Sequence, residues 1–229
     1  MPNIIASTAH IDPRAEIAED VEIGPFCVIG PDVAIGRGTK LENNVTIKGN
    51  TSIGEHNHIH ANAVIGGPPQ DLSYQGTPTK VKIGNHNVIR ECVTINCGTE
   101  KDRGVTSVGD HCYLMACCHV AHDCFVGDHV IIANGSMLGG HVHVHDHASI
   151  SGAVAVHHFA TIGSYSFIGG VSRVLHDVPP YMLVEGVPTR PRCVNVVALR
   201  RNDFSDETIG ALSEAHRLLY RAKVGYDHA

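Results

Sequence analysis

The chain has no tryptophan and only five phenylalanines among 229 residues, so its core is not organised around large aromatic side chains. It has no apolar run long enough to cross a bilayer as a helix. Its opening, MPNIIASTAH, lacks the basic stretch and apolar segment of a secretory leader, so no membrane insertion and a cytoplasmic location are expected. Positive charge is also scarce: 17 Lys and Arg against 23 Asp and Glu give a net charge of −6, which argues against a nucleic-acid partner. Of those 17, 8 gather late, at Arg173, Arg190, Arg192, Arg200, Arg201, Arg217, Arg221 and Lys223, as a local site for an anionic partner would require. Eight cysteines occur without a CxxC pair. Cys27, Cys112, Cys118 and Cys124 read as small reduced core residues rather than disulfide or zinc partners.

Against these absences stands one regularity. Ile5, Ile11, Ile17, Ile23, Ile29, Ile35, Leu41, Ile47, Ile53, Ile59 and Ile65 are aliphatic at every sixth position without a miss. The beat resumes at Ile83, Ile89 and Ile95, and again, after a phase shift, from Val108 to Val174. A six-residue period fits neither a helix nor a simple alternating strand; it fits short strands joined by turns, with glycine often following the aliphatic, as at Gly24, Gly36, Gly84 and Gly109. Three hexads close one triangular coil of 18 residues, and coils stack about 4.8 Å apart through parallel hydrogen bonding.

Two stretches break the beat. Residues 67–80 interrupt it without changing its phase, and residues 98–106 shift it; both are expected to project as loops, the usual place for site residues on a rigid scaffold. The division expected is a coil array over 1–178 and, over 179–229, an irregular proline-rich exit with a short helical region. There Ser205 caps a helix whose Ile209, Leu212, His216 and Leu219 share one face. A prism with flat sides is expected to associate, most simply as a cyclic homotrimer.

Residues 18 apart lie above one another in such a stack. His122, Gly140 and His158 therefore form a column, with the two histidines about 10 Å apart, two coil spacings. His119, His141 and His157 flank the same zone. A glycine between histidines leaves a backbone N–H where an oxyanion could form. Asp123 could orient His122 as a general base if the chain turns between them. His56, His58, His143, His145 and His147 read instead as solvent-facing turn residues without a role. Zinc is the competing use for such histidines, as in the gamma class of carbonic anhydrases. Two of that family's ligands lie five residues apart, a spacing no two histidines have here, so neither a metal nor another cofactor is expected.

The segments IGPFCVIGP, PPQDLSYQGTPTKVKIG, IRECVTIN, HVAHDCFVGD, AVHHFATIG and DVPPYMLVEG resemble the UDP-N-acetylglucosamine O-acyltransferases that begin lipid A synthesis. The resemblance runs to about residue 221. It implies a mainly β fold, a left-handed parallel β-helix with a C-terminal helical appendage, assembled as a trimer with active sites between subunits. It also implies transfer of a 3-hydroxyacyl group from acyl carrier protein to the sugar 3-hydroxyl of UDP-N-acetylglucosamine. Carried over by residue, His122 matches the general base, Asp123 its support and Gly140 the oxyanion donor. Asp71, His141 and His157 match sugar-nucleotide contacts, Asn195 and Arg201 match positions near the uridine and phosphates, and Gly170 matches the residue limiting acyl-chain length. Ser73 stands where the family often has lysine, and His158 where it often has glutamine. The family usually continues through further helices that dock the carrier; here Arg217, Arg221 and Lys223 are the late basic residues available to an acidic partner. An acyltransferase acting on a 3-amino UDP-sugar and a catalytically silent hexapeptide scaffold are the alternatives.

Overall fold

The computed structural model describes residues 2–222. Among the described residues the strands form three sheets of 11, 9 and 8 members, the walls of a triangular prism. Face 1 starts with Ile4–Ile5 and Glu22–Ile23, face 2 with His10–Ile11 and Val28–Ile29, and face 3 with Glu16–Ile17 and Val33–Ile35. The chain visits the faces in that order and climbs one coil per circuit, a left-handed parallel β-helix. Register follows the 18-residue coil, as in Ile5 opposite Ile23 and Leu41 opposite Ile59. Every aliphatic of the beat from Ile23 onward is buried inside the prism, where stacked Ile, Leu and Val fill a narrow triangle that has no room for indole rings. Ile5, in the first coil, has a neighbour on one side only and is 45% exposed.

The two interruptions behave as their lengths dictate. Ile59 pairs with Ile89, thirty positions on, so the first insertion is twelve residues, two whole hexads, and the phase is kept. Ile89 pairs with Leu114, twenty-five on, so the second adds seven and shifts the phase by one. The segments thrown out clasp one another: Glu100 accepts from the Gln75 backbone N–H at 3.0 Å and from Thr77 Oγ1 at 2.8 Å.

The corners correct one expectation. The glycines after the aliphatics mark the turns, but Gly24, Gly36 and Gly84 are not the residues with positive φ; that conformation falls two positions later, at Phe26, Gly38 and His86. The glycines are needed for close approach: a Cβ at Gly24 would lie 2.8 Å from the Glu42 carbonyl carbon, and one at Gly84 2.7 Å from the Gly109 oxygen. At the corner between faces 3 and 1 the positive-φ positions are filled by His56, His86, His111, His129 and His147, then Tyr165 and Tyr181. Their rings stack in one ladder, the five histidines at 4.7–5.1 Å and His147 on Tyr165 at 4.5 Å. His56 and His147 are thus structural ring partners rather than idle surface residues, His58 is paired with Glu42 at 3.0 Å, and His143 is half-buried. Behind the ladder runs a buried polar column: Thr39 Oγ1 accepts from Asn57 N, Asn57 Oδ1 from Asn87 N, and Asn87 Oδ1 from Cys112 N, at 3.1, 2.9 and 2.7 Å.

The exit is more regular than its prolines suggest. Met182–Gly186 adds to face 1 in parallel with Phe167–Ile168, then folds back as a hairpin with Thr189–Val194. The hairpin forms because Leu183 and Val184 continue the face-1 pattern while Pro188 lies in the turn and Pro191 on the outer strand. Helix α1 covers Val196–Arg201, with Asn195 as its N-cap, and α2 covers Asp206–Tyr220. Ser205 caps α2 by accepting from Thr208 N at 3.1 Å. Ile209 and His216 are buried and Leu212 half-buried, but Leu219 is 42% exposed and does not belong to that inner face. Lys223 and the rest of the expected appendage to 229 lie outside the described residues.

Candidate active site

His122 and Asp123 stand at a corner between faces 2 and 3, between the strands His119–Val120 and Phe125–Val126. In an extended chain adjacent side chains diverge. Here Asp123 has φ 59°, the corner turns between them, and His122 Nδ1 lies 2.9 Å from Asp123 Oδ2. The contact left open by the sequence is made. Asp123 is fully buried and held by the second loop: its carboxylate accepts from Thr99 N at 2.8 Å and Thr99 Oγ1 at 2.6 Å. Its own N–H donates to Thr106 Oγ1 at 2.8 Å. A carboxylate fixed by two such bonds on a backbone pinned by the third accepts from Nδ1 of His122, which leaves Nε2 as the nitrogen with a free lone pair.

One coil along, the His122 ring lies against Gly140; a Cβ there would sit 2.5 Å from Cε1 and 2.6 Å from Nε2. Only a bare backbone fits. Among the described residues the Gly140 N–H has no hydrogen-bond partner, because the hexad turn leaves that amide out of the ladder between Gly139 N and His141 N. A basic ring nitrogen and an unpaired N–H therefore share one cavity.

His119 lines the same cavity from face 2, with Nδ1 2.7 Å from Thr94 Oγ1; burial, helped by His122, lowers its pKa and favours the neutral ring. His141 packs edge-on to His122 and flat on Phe159, with ring centroids 5.2 and 4.5 Å away, and its Nδ1 is 3.3 Å from Asp102. His157 and His158 are exposed at the rim, ring against ring at 4.3 Å. Asp71 reaches over from the first loop and is met by Lys101 of the second at 2.7 Å. Lys101, with help from the Ser73 N–H, holds the Asp71 carboxyl far below the usual carboxylate range. Lys101 also bonds Ser73 Oγ. These groups line a groove of about 690 Å³ with Leu72, Met137 and Val156 as apolar wall.

Comparison with known proteins gives the family of the chain. The hexapeptide-transferase repeat model matches residues 32–67 and 106–140, and the model for domain 2 of UDP-N-acetylglucosamine O-acyltransferase matches 177–229. A curated acyl-[acyl-carrier-protein]–UDP-N-acetylglucosamine O-acyltransferase from Halorhodospira halophila is 50% identical over 98% of this chain and 87% of its own. The chain belongs to the UDP-N-acetylglucosamine O-acyltransferase family. Among solved structures, LpxA from Acinetobacter baumannii is 46% identical with a TM-score of 0.94, over 97% of this chain and 86% of its own. The UDP-N-acetylglucosamine acyltransferase of Francisella novicida is 41% identical with a TM-score of 0.96, over 98% and 83%.

The remaining family positions do not join the His122 groove within one chain. Asn195 and Arg201 line a second groove, about 600 Å³, on face 1 with Met115, His129, His147 and Phe167. Asn195 is mostly buried there: its Nδ2 donates to the Tyr165 carbonyl at 2.8 Å and its Oδ1 caps α1. Gly170 lies in neither groove but at the corner between faces 1 and 2, near the Gly152 carbonyl. Three contributors were missed in the sequence: Lys101, Thr94 and Thr99. Thr94 carried a signal, since it occupies the outward position one coil before His119; Lys101 and Thr99 carried none, because they sit in an insertion outside the 18-residue grid.

Proposed function

We propose that this chain transfers a 3-hydroxyacyl group from acyl carrier protein to the 3-hydroxyl of UDP-N-acetylglucosamine, the first step of lipid A biosynthesis. Membership of the family supports the reaction, and the observation that carries the chemistry is the His122 ring lying over the free Gly140 N–H. The sugar hydroxyl is a poor nucleophile at neutral pH; His122 Nε2 takes its proton as the oxygen attacks the thioester carbonyl. Negative charge builds on the carbonyl oxygen and is met by the Gly140 N–H. Collapse expels the carrier's thiolate, which regains a proton from the His122 imidazolium, giving an ester and a free thiol. Asp123 stabilises the imidazolium throughout and is never itself a proton carrier. No covalent enzyme intermediate and no cofactor enter this scheme. Asp71, His141 and His157 bind the sugar nucleotide, with His119 and His158 beside them. Lys101 contributes the cation that Ser73 no longer supplies.

The nucleotide's uridine and phosphates fall to Asn195 and Arg201, which a single chain keeps on another face. A homotrimer in which face 2 of one protomer meets face 1 of the next joins the two half-sites. Phe26 (62%) and Val171 (76%) stand exposed near opposite ends of the corner between these faces and Met137 (53%) stands exposed on face 2, apolar side chains that a subunit contact would cover. That contact places Gly170 along the acyl chain's path, where a missing side chain leaves room for length. No helix among the described residues is long and apolar enough to cross a membrane, and a cytoplasmic site of action fits a carrier-bound donor.

Incubation with UDP-N-acetylglucosamine and a set of 3-hydroxyacyl carrier proteins, read by mass spectrometry, tests the reading. The acylated sugar nucleotide is expected, and His122→Ala should lower turnover by about 10²–10⁴-fold with assembly intact. Near-normal turnover in that variant removes the base. Product only with a 3-amino sugar nucleotide gives the acceptor assignment to the alternative, and binding without product gives it to a silent scaffold.

A further inference from the structure

A second cluster of metal-binding side chains lies away from the His122 groove, between faces 1 and 2 in the early coils. His58 projects outward from the face-1 strand His58–Ile59, and His60, two residues on, projects the same way at the corner. Glu42 stands one coil below. His58 Nε2 and His60 Nδ1 converge on the same oxygen, Glu42 Oε1, at 3.0 and 3.1 Å. The other Glu42 oxygen is tied to the Ala61 N–H at 3.3 Å, which fixes the carboxylate, and the two imidazoles stack at 4.1 Å. From the next coil Glu91 approaches His60 at 3.6 Å while held by Arg90 through a two-point fork at 3.0 and 2.9 Å.

We propose that Glu42, His58 and His60 bind a divalent transition cation of the zinc class. Two imidazole nitrogens and one carboxylate oxygen are the donor set that such an ion takes when a water completes its four ligands. A tetrahedral site with bonds near 2.1 Å separates its ligand atoms by about 3.4 Å. The three donor atoms here all lie within 4.8 Å of one another, and the two contacts to Glu42 are a few tenths of an ångström short of that separation, so shifts of side-chain ends alone open the site. Glu91 sits outside the ligands beside His60, and its pairing with Arg90 keeps the guanidinium turned to a carboxylate rather than to the ion. The ion joins consecutive coils across the strand ladder, a staple on the array independent of the acyl-transfer groove. The expectation of a metal-free chain came from the spacing of histidines along the sequence; this set instead draws its carboxylate from the coil below.

The test is zinc binding by the full chain after dialysis against a chelator, with metal content and equilibrium affinity as readouts. The His122, Asp123 and His141 group also holds three donor atoms together, so binding is measured in a His122→Ala/His141→Ala background as well. One zinc per chain is expected in both proteins. His60→Ala and Glu42→Gln should each weaken it by at least about 10-fold, the lower end of what even supporting residues of a metal site contribute. Zinc should also raise the melting temperature, and Glu42→Gln should abolish that rise. Should His60→Ala fail to fold, His58→Gln, at a half-buried position, gives the same reading. Zinc content unchanged by Glu42→Gln and His58→Gln, or no bound zinc in the His122→Ala/His141→Ala protein, overturns the proposal and leaves these contacts as histidine–glutamate ion pairs.

Discussion

Two corners of the same prism use histidine in opposite ways. At the corner between faces 3 and 1, His111, His129 and His147 occupy successive coils and their rings close on each other at 4.7–4.9 Å, so nothing can enter. At the corner between faces 2 and 3 the column runs His122, Gly140, His158, and the missing side chain leaves a gap that the His122 ring enters. The scaffold, strand spacing and residue type are the same. What separates a structural histidine from the proposed base is the missing side chain beside it, which frees one ring nitrogen and one backbone N–H together.

The most damaging way to erase that difference is to fill the gap. Gly140→Ala places a methyl group 2.5 Å from His122 Cε1, displacing the base and screening the N–H. Since a base and an oxyanion donor each contribute about 10²-fold or more, kcat should fall by at least about 10³-fold. Thermal denaturation checks that the fold survives, and retention of kcat within tenfold would show that the gap is not what distinguishes this corner. A milder perturbation acts on the wall of the gap. Lys101→Ala removes the cation that holds Asp71, and should raise KM for the sugar nucleotide by about 10-fold, roughly 1.4 kcal/mol, with a smaller change in kcat. An effect confined to kcat would move Lys101 from binding to chemistry.

The smallest effect belongs to the closed corner. Burial, with a contribution from His129, lowers the pKa of His147, so the unfolded chain takes up that proton first. Stability conferred by the neutral ring is intact above about pH 6.5 and is lost as pH falls below that value. His147→Tyr keeps a stacking ring, as Tyr165 already provides above it, and removes the titration. The fall in unfolding free energy between pH 7 and 5, followed by denaturant titration, should flatten slightly, by well under about 1.4 kcal/mol per pH unit because the ring is partly in solvent. An unchanged slope would mean that the ladder tolerates charge.

The His122 corner was legible because a strict 18-residue coil turns sequence spacing into vertical distance: His122, Gly140 and His158 could be stacked without coordinates. The closed corner was misread, since His56 and His147 are separated by both insertions and look like isolated turn residues until the nineteen extra positions, twelve and seven, are subtracted. Lys101 and Thr99 were invisible for the same reason, as insertions have no period to place them. The C-terminal hairpin was hidden by composition: four prolines in DVPP and VPTRPR signal irregularity locally, while the strand exists because face 1 offers Met182–Gly186 an edge to join.

The Thr39, Asn57, Asn87 and Cys112 column answers a difficulty that any self-similar chain faces. Sliding one coil past the next by six residues would bring isoleucine onto isoleucine again, so the apolar interior cannot tell the correct alignment from its neighbours. A buried asparagine that slides finds no N–H for its oxygen and no carbonyl for its amide, a loss of about 1–3 kcal/mol for each unmet group. Asn57 and Asn87 therefore act as an address on an otherwise repetitive tape: they select which copy of the repeat lies above which across both insertions.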